Sequence, residues 1–412
     1  MLKKWTPLFR NRDFLLALGG RGFSALGDEM AIITLTLRIE GHGSPPYMVA
    51  LLFAAGSVPW VAFGGWAGRL ADRTDSRLLL VTSAATATAF SLPLIVVHSV
   101  PAILALLAVL GASTAVSQAT WSALTPRVVG EADVGRAASV TQAAFSGSLL
   151  IGPTLAGLLT AGFGTRLPLL VDACSFGVLA FAALGVRTRR GPARLAPEIR
   201  MEEMRRSGLA IIREDPLLLV LTGTLALFIL LGSMSNVVIV FLVRRTLHAG
   251  PAWYGFVEGA WGLGLTLGSL GAGLVYTDKA RARVAMLGAT AMGGATLAYG
   301  FVPAVSPLGA LALLGGIGNG LLNALVSTIL ATRVPERRRG RAFAALNAVT
   351  SATGIGSLAA GGLVASILPP REVMLLAGAS GLVVGMVGAL RVGKSFRSDD
   401  PSSQAPLSPR SS

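Results

Sequence analysis

The sequence is poor in the residues from which most enzyme sites are built. Of its 412 residues, one is cysteine and three are histidine, and only 13% are charged. A single cysteine, Cys174, excludes an internal disulfide. His42, His98 and His248 all lie near the predicted ends of apolar segments, so no serine–histidine pair or metal cluster is expected inside a core. We therefore predict no cofactor, no metal and no enzyme activity.

Charge is scarce because apolar residues dominate the chain. Hydrophobic residues make up 53% of the sequence, whereas soluble domains carry roughly 25% charged residues. A lipid-spanning helix needs roughly 20 apolar residues, and the chain offers twelve such stretches. They are 14–37, 47–67, 78–97, 101–124, 138–161, 167–186, 216–243, 253–276, 284–303, 306–331, 342–367 and 371–391. The pattern predicts an all-α membrane protein with twelve transmembrane helices.

The net charge of +15 is placed as in a membrane protein rather than a nucleic-acid-binding one. With twelve helices, 29 of the 35 lysines and arginines fall in loops on one face, five on the other face and one, Arg21, inside helix 1. Positively charged loops mark the cytoplasmic side. We expect a multi-pass protein of the plasma (inner) membrane, with both termini in the cytoplasm and with no nucleic-acid partner.

The two halves of the sequence resemble each other at an offset of 205 residues. Gly135-Arg136-Ala137 aligns with Gly340-Arg341-Ala342, and each triplet comes just before the fifth predicted helix of its half. Parallel repeats of this kind are the plan of one large transporter class. We predict two six-helix bundles related by a pseudo-twofold repeat. The segments are a first bundle over 1–186, a basic cytoplasmic linker over 187–215, a second bundle over 216–392 and a disordered cytoplasmic tail over 393–412.

The stretch GRLADRTDSR resembles the loop signature G-x-L-A-D-R-x-G-R-K of the major facilitator superfamily. Gly68, Asp72, Arg73 and Arg77 occupy signature positions, whereas Asp75 replaces the usual glycine. The resemblance implies that Asp72 pairs across the cytoplasmic face with the start of helix 11, where the helix dipole favours an anion. Such a contact would stabilise the outward-open state.

The stretch SLLIGPTLAG is similar to the helix 5 signature G-x-x-x-G-P-x-x-G-G, which this superfamily carries mainly in exporters. Gly152, Pro153 and Gly157 match the signature. Small residues let two helices approach closely, and proline bends a helix. We expect Gly264 and Gly268 of helix 8 to provide the partner surface.

Further segments extend the resemblance along most of the chain. FRNRDF before helix 1, SALGD within it, TPRVVGEADVGRA after helix 4 and IREDPLL before helix 7 are similar to the drug/proton antiporter branch, which includes macrolide and siderophore exporters. The resemblance implies a monomeric antiporter that uses protons to export a small hydrophobic or amphiphilic compound, as in multidrug resistance.

Helix 1 contains three charged residues in the stretch RGFSALGDEM. Arg21, Ser24 and Asp28 share one face of a helix, and Glu29 points about 100° away. Asp28 lies about 21 Å along the helix from Phe14, too deep for its short side chain to reach an interface. The hypothesis is that Asp28 binds the proton or a cationic substrate, with Arg21 tuning it and Glu29 secondary. An ion pair that holds helices together is the alternative.

The resemblance also implies that helices 1, 4, 7 and 10 line a central cavity. The cavity-lining candidates on these helices are Ser24, Ser117, Trp121, Asn236, Asn319 and Asn323. Interhelical hydrogen bonding is the alternative role for the polar ones. Helix 7 is uncharged where helix 1 carries Asp28, so we expect proton chemistry to be one-sided and centred on helix 1.

One literal motif match is misleading. GALRVGKS at 388–395 fits the phosphate-loop pattern, but its first glycine ends a predicted membrane helix instead of a buried strand, so we expect no nucleotide. An importer or lipid transporter of the same fold stays an alternative to efflux. A non-transporting membrane sensor is the alternative of another class, although no segment outside the predicted helices is long enough for a sensor domain.

Overall fold

The computed structural model describes residues 6–191 and 208–398, and within these ranges the chain forms twelve long helices. The first half contains α1 (Arg12–Gly41), α2 (Pro46–Arg73), α3 (Ser76–Ser91, continued by the 3₁₀ turn Leu92–Ile95), α4 (Val100–Val129), α5 (Val134–Phe163) and α6 (Arg166–Gly185). The second half contains α7 (Pro216–Gly232, Met234–Phe241 and the π-helical turn Leu242–Thr246), α8 (Pro251–Ala272), α9 (Asp278–Tyr299), α10 (Ser306–Arg333), α11 (Glu336–Ile367) and α12 (Pro370–Ser398). Short helices cover Thr6–Arg10, Glu131–Asp133 and Gly208–Glu214.

Nine of the described helices are long and apolar enough to cross a membrane by length and composition. The helices α1, α8 and α9 are not among them. Helix α1 carries the charged residues Arg21, Asp28 and Glu29 within its span, which lowers its hydropathy. The all-α fold is therefore confirmed in the described residues, while the crossing of the bilayer by all twelve helices stays a prediction.

Helix starts follow local capping signals in the sequence. Asn11 and Asp215 cap the first helix of each half, because their side-chain oxygens accept hydrogen bonds from backbone N–H groups at the helix start. Thr277 caps α9 in the same way. Helix α9 therefore begins at Asp278, six residues before the predicted start at 284. The prediction placed the start at the first apolar residues, whereas the threonine cap starts the helix within the charged segment before them.

Two predicted segment boundaries fall differently in the structure. Helix α12 continues to Ser398, beyond the predicted boundary at 392. The rest of the predicted tail, 399–412, lies outside the described residues. Within the predicted linker, Gly208–Glu214 is helical, and residues 192–207 lie outside the described ranges.

The arginine-rich loops lie on one face of the bundle, which we call the basic face. In the first half, the Asp13 carboxylate accepts hydrogen bonds from the backbone N–H groups of Arg187 and Thr188. In the second half, Arg333 forms ion pairs with Asp215 at 2.9 Å and with Asp278 at 3.1 Å. Each half thus ties its first helix to a later segment on this face.

On the opposite face, the two halves are packed closely against each other. A Cβ atom built on Gly157 of α5 would lie 2.9 Å from the Gly255 Cα atom of α8. A Cβ atom built on Gly362 of α11 would lie 2.7 Å from the Ala50 Cβ atom of α2. Only glycine permits these approaches, so the small residues close the bundle at this face.

The prediction that Gly264 and Gly268 of helix 8 contact the helix 5 signature was wrong. Gly264 and Gly268 face the backbone of α10 near Ile317, and the glycines of α8 that meet α5 are Gly255 and Gly259. Residues 255, 259 and 262 lie on one face of α8, whereas 264 and 268 lie on another face. The sequence shows both glycine series and does not distinguish which one meets α5.

Replacement of Gly157 tests the close packing of α5 against α8. Because a leucine side chain would collide with backbone atoms of α8, Gly157→Leu should lower the free energy of unfolding by about 1–3 kcal/mol. The measurement is the thermal midpoint of the purified protein in detergent. Gly162→Leu is the matched control, since Gly162 lies on the same helix with no atom within 4 Å of an added Cβ. Equal midpoints for the two variants would contradict the packing.

Candidate functional site

A central cavity of about 550 Å³ lies between the two halves. It is lined by α1, α2, α4 and α6 of the first half and by α7 and α11 of the second half. Apolar side chains such as Phe53, Trp60, Leu107 and Leu358 form most of its surface. A cavity of this size and character fits a drug-sized amphiphilic molecule.

The central cavity adjoins a second cavity of about 490 Å³, which we call the vestibule. Trp60, Val61 and Ser351 line both. The vestibule lies between α2, α4 and α11 on the side of the basic face, and Asn347 belongs to its lining. Because the opposite face is closed by α5–α8 and α2–α11 packing, the basic face is the open side of the cavity.

Asp28 lies where the hypothesis needs it. Its side chain is exposed to the central cavity, one turn from Ala31 and Ile32, which also line it. In the part of the chain that the structure describes, no ion pair involves Asp28. The alternative of a helix-linking ion pair is therefore not what the described residues show.

The polar stripe of α1 lines a small side cavity beside Asp28. Arg21, Ser24 and Ser117 contribute to this cavity. The Arg21 guanidinium donates a 2.7 Å hydrogen bond to the Gln118 side chain and lies 5.3 Å from the centre of the Phe145 ring. Gln118 went unnoticed at the sequence level, although it directly follows the cavity candidate Ser117.

Glu29 turns away from Asp28 and packs against α5. A Cβ atom built on Gly152 would lie 2.6 Å from the Glu29 Cβ atom. The first signature glycine of α5 thus makes room for Glu29, and Gly157 makes room for α8. Pro153 lies between them, with its carbonyl group against Gly255. Glu29 is not part of the central cavity lining.

The other cavity candidates divide between two places. Asn236 lines the central cavity. Asn319 and Asn323 are hydrogen-bonded to each other. Together with Asn236 they line a smaller cavity in the second half. Helix α10 therefore contributes to this smaller cavity and not to the lining of the central one.

Trp121 does not line the cavity, contrary to the prediction. It is only 2% exposed and packs in an apolar cluster with Leu80, Leu124 and Ala183. Trp121 follows Ser117 by four residues, and four residues rotate the helix by about 40° beyond a full turn. This rotation brings the indole ring against α3 and α6.

The loop signature is engaged within its own half. The Asp72 carboxylate accepts a 2.9 Å hydrogen bond from Arg190, and Arg77 donates to the Leu184 carbonyl oxygen. Arg73 is the last residue of α2, and a Cβ atom on Gly68 would meet no atom within 4 Å. With the basic face open, Asp72 pairs with Arg190 and not with the start of α11.

Two further carboxyl groups lie inside the bundle, and Asp172 went unnoticed at the sequence level. Asp172 of α6 is 1% exposed and lines the central cavity. Glu258 of α8 lines a small cavity with Asn236, Thr296 and Tyr299. The signal was present, because a lone carboxylate inside an apolar helix is by default a functional candidate. The acidic groups therefore extend beyond helix 1, which the uncharged sequence of helix 7 alone did not suggest.

Glu40 at the end of α1 joins the two halves at the opposite face. Its carboxylate accepts hydrogen bonds from Arg244 at 3.3 Å and from Arg245 at 3.1 Å, both near the end of α7. Arg245 also donates to the carbonyl oxygens of Glu40 and Ser44. The Glu40 side chain is 8% exposed, so this ion pair is largely shielded from solvent.

The chain matches the family model described as Major Facilitator Superfamily over residues 17–244 and 223–411. The chain belongs to the major facilitator superfamily. Members of this superfamily are transporters of small molecules, so this superfamily chain is a multi-pass membrane transporter and not an enzyme. The phosphate-loop match at 388–395 accordingly lies in helix α12 and not after a strand.

Two curated relatives in the superfamily match most of the chain. The uncharacterized MFS-type transporter YfiS of Bacillus subtilis (strain 168) is 26% identical over 394 residues, covering 92% of this chain and 94% of YfiS. The multidrug efflux pump Tap of Mycolicibacterium fortuitum is 26% identical over 351 residues, covering 82% of this chain and 83% of Tap.

Solved structures share the superfamily fold. A point mutant of the nucleoside transporter NupG aligns with a TM-score of 0.75 at 12% identity, covering 92% of this chain and 99% of NupG. A bacterial homologue of the iron transporter ferroportin, in an inward-facing state, aligns with a TM-score of 0.70 at 16% identity, covering 93% and 98%. At these identities the likeness shows the fold alone.

Removal of the Glu40 carboxylate tests the closure of the opposite face. Glu40→Gln leaves Arg244 and Arg245 without their anion, which should favour opening at this face by about 1 kcal/mol, or about fivefold in population. The measurement is maleimide labelling of Ala50→Cys, with Cys174→Ser in the background, since Ala50 is buried against Gly362.

The control for this experiment removes an ion pair that does not join the halves. Asp133 pairs only with the nearby Arg136 among the salt bridges of the described residues. Asp133→Asn should leave the labelling rate of Ala50→Cys unchanged. A labelling rate that rises equally in both variants, or in neither, would contradict a closing role for Glu40.

Proposed function

We propose that the protein is a proton-coupled exporter of a small hydrophobic or amphiphilic compound, which works by alternating access. The observation that carries the proposal is the position of Asp28. A carboxyl group without an ion-pair partner in the described residues lines a large, mainly apolar cavity. Such a group can take up a proton when the cavity is empty and release it when a substrate enters.

The direction of transport in this proposal follows from the placement of charge. Lysine and arginine are concentrated on the basic face, which we take as the cytoplasmic side, with both termini there. The open vestibule then admits substrate from the cytoplasm. Closure of this side and separation of α5 from α8 and of α2 from α11 would release the substrate outside. Arg21, which lines the side cavity beside Asp28, would tune the carboxyl group.

Two further observations support export over import. The relative Tap is named a multidrug efflux pump. The Gly152-Pro153 step and Gly157 of α5 form close contacts with α1 and α8, as the exporter signature implies. Asp72 and Arg77 of the loop signature would act in the outward-open state, when the basic ends of α2 and α11 meet. The working unit in this proposal is a monomer in the plasma membrane.

The experiment is a panel of amphiphilic compounds added to inverted membrane vesicles that contain a pH-sensitive dye. We expect at least one compound to release protons from acidified vesicles that carry the wild-type protein. Asp28→Asn should reduce this release at least tenfold, because an amide cannot carry the exchanged proton. Binding of the same compound to the purified variant shows that the cavity is still folded.

The matched control is Glu131→Gln, which removes a carboxyl group from a turn on the basic face. It should transport like the wild type. Uptake of the compound into right-side-out vesicles, driven by an inward proton gradient, would instead identify an importer. Equal proton release by wild type and Asp28→Asn would remove Asp28 from the coupling step.

A further inference from the structure

The central cavity contains a second carboxyl group on a different helix. Asp172 of α6 lines the same cavity as Asp28 of α1. The helices are in direct contact there, since a Cβ atom on Gly27 would lie 3.0 Å from the Asp172 Oδ1 atom. The residue next to Asp28 therefore touches Asp172.

The Asp172 side chain is buried without a partner for one of its oxygens. Its residue is 1% exposed, and Oδ1 has no hydrogen-bond donor among the described residues. The nearby Ser175 hydroxyl does not donate to this oxygen, because it donates to the Asp172 backbone carbonyl at 2.7 Å. A buried oxygen left unsatisfied in this way costs about 1–3 kcal/mol. An incoming donor or cation would remove that cost.

No protein cation in the described residues neutralises the two carboxyl groups. Arg21 faces the same side cavity as Asp28, but it is engaged by Gln118 and Phe145. Arg38, the other arginine within α1, donates to backbone carbonyls of residues 94 and 97 at the opposite face. Glu29, which follows Asp28 directly in α1, is also acidic and adds to the deficit of positive charge.

Two adjacent carboxylates in a bundle surrounded by lipid cannot both stay ionised without a cation. When the cavity is empty, protons neutralise them. When the cavity is occupied, positive charges of the occupant can do so. The pair can therefore exchange at most two charges, and both carboxyl groups line the same mainly apolar cavity.

We propose that Asp28 and Asp172 form a two-carboxyl site that binds an organic amphiphile with two positive charges in exchange for two protons. This inference rests on the proposed function and names its substrate class. On binding, the O–H bond of each carboxyl group breaks, and its proton passes to water in the vestibule. Each carboxylate then pairs with one cationic group of the substrate, and no electrons are transferred.

The surroundings favour an organic cation over a metal ion. No group of three or more histidine, cysteine, aspartate or glutamate side chains in the described ranges could hold a metal ion. Divalent cations such as Mg²⁺ and Ca²⁺ need about six or more oxygen ligands. The cavity instead offers the aromatic rings of Phe53 and Trp60 and aliphatic side chains beyond the carboxyl pair, which suit the apolar body of an amphiphile.

The experiment compares two probes on purified protein in weakly buffered detergent at neutral pH. The dication is a bis-quinolinium with an alkyl linker, and the monocation is tetraphenylphosphonium. Binding and proton release are measured together with a fluorescent probe signal and a pH dye. The wild type should release about two protons per bound dication and about one per bound monocation, since each neutralised carboxyl group yields one.

Asp172→Asn should weaken dication binding at least tenfold and lower its proton release to about one, since one charge pair is lost. Monocation binding should change less than about threefold, because Asp28 still provides one charge. Ser175→Ala is the matched control: it alters the same turn of α6 without removing charge, and it should bind both probes like the wild type. A structural role for Asp172 would weaken both probes alike.

Several outcomes would overturn the proposal. They are equal proton release for the two probes in wild type, no wild-type binding of either probe, equal weakening of both probes by Asp172→Asn, and displacement of the dication by Mn²⁺ at equal concentration. If Asp172→Asn does not fold, the wild-type proton counts decide. The proposed exporter would survive any of these results if a neutral or singly charged compound still drives Asp28-dependent proton release from vesicles.

Discussion

The cost of placing ionisable groups in an apolar bundle governs the rest of this structure. A carboxylate in the centre of a lipid-surrounded helix is expensive, and it persists only where a cavity, a cation or a proton compensates. Asp28 borders water-accessible space, and Asp172 beside it has an oxygen without a partner among the described residues. The cavity is therefore needed to accommodate these two carboxyl groups, in addition to admitting substrate.

Because one face of the bundle is closed, the cavity is accessible from the basic face. Glycine residues let α5 meet α8 and α2 meet α11 at distances that no larger residue permits. The Glu40 carboxylate adds an ion pair between the ends of α1 and α7. Both devices act between halves that are otherwise separate bundles, so they can open without unfolding either half. Movement between two such packings is the basis of alternating access.

The sequence predicted the helices well because hydrophobic length and charge are local signals. Ten of the twelve predicted starts lie within four residues of the observed ones. The exceptions are α9, which begins after the cap at Thr277, and α11, which begins at Glu336 instead of 342. Side-chain placement was harder. The interior position of Asp28 followed from depth along one helix, but the Asp172 partnership requires knowing that α1 and α6 are neighbours. The predictions that Trp121 lines the cavity and that Gly264 and Gly268 contact α5 were wrong for the same reason. The rotation of a helix about its axis is set by packing against its neighbours.

We propose that the substrate-free protein holds a proton on a carboxyl group of the cavity and loses this proton when substrate binds. Infrared difference spectroscopy on the purified protein, with and without a transported amphiphile, tests this claim directly. We expect a protonated-carboxyl C=O band to disappear on binding, and Asp28→Asn should remove or markedly weaken this change. A spectrum without any carboxyl change in the wild type, at saturating substrate, would contradict it.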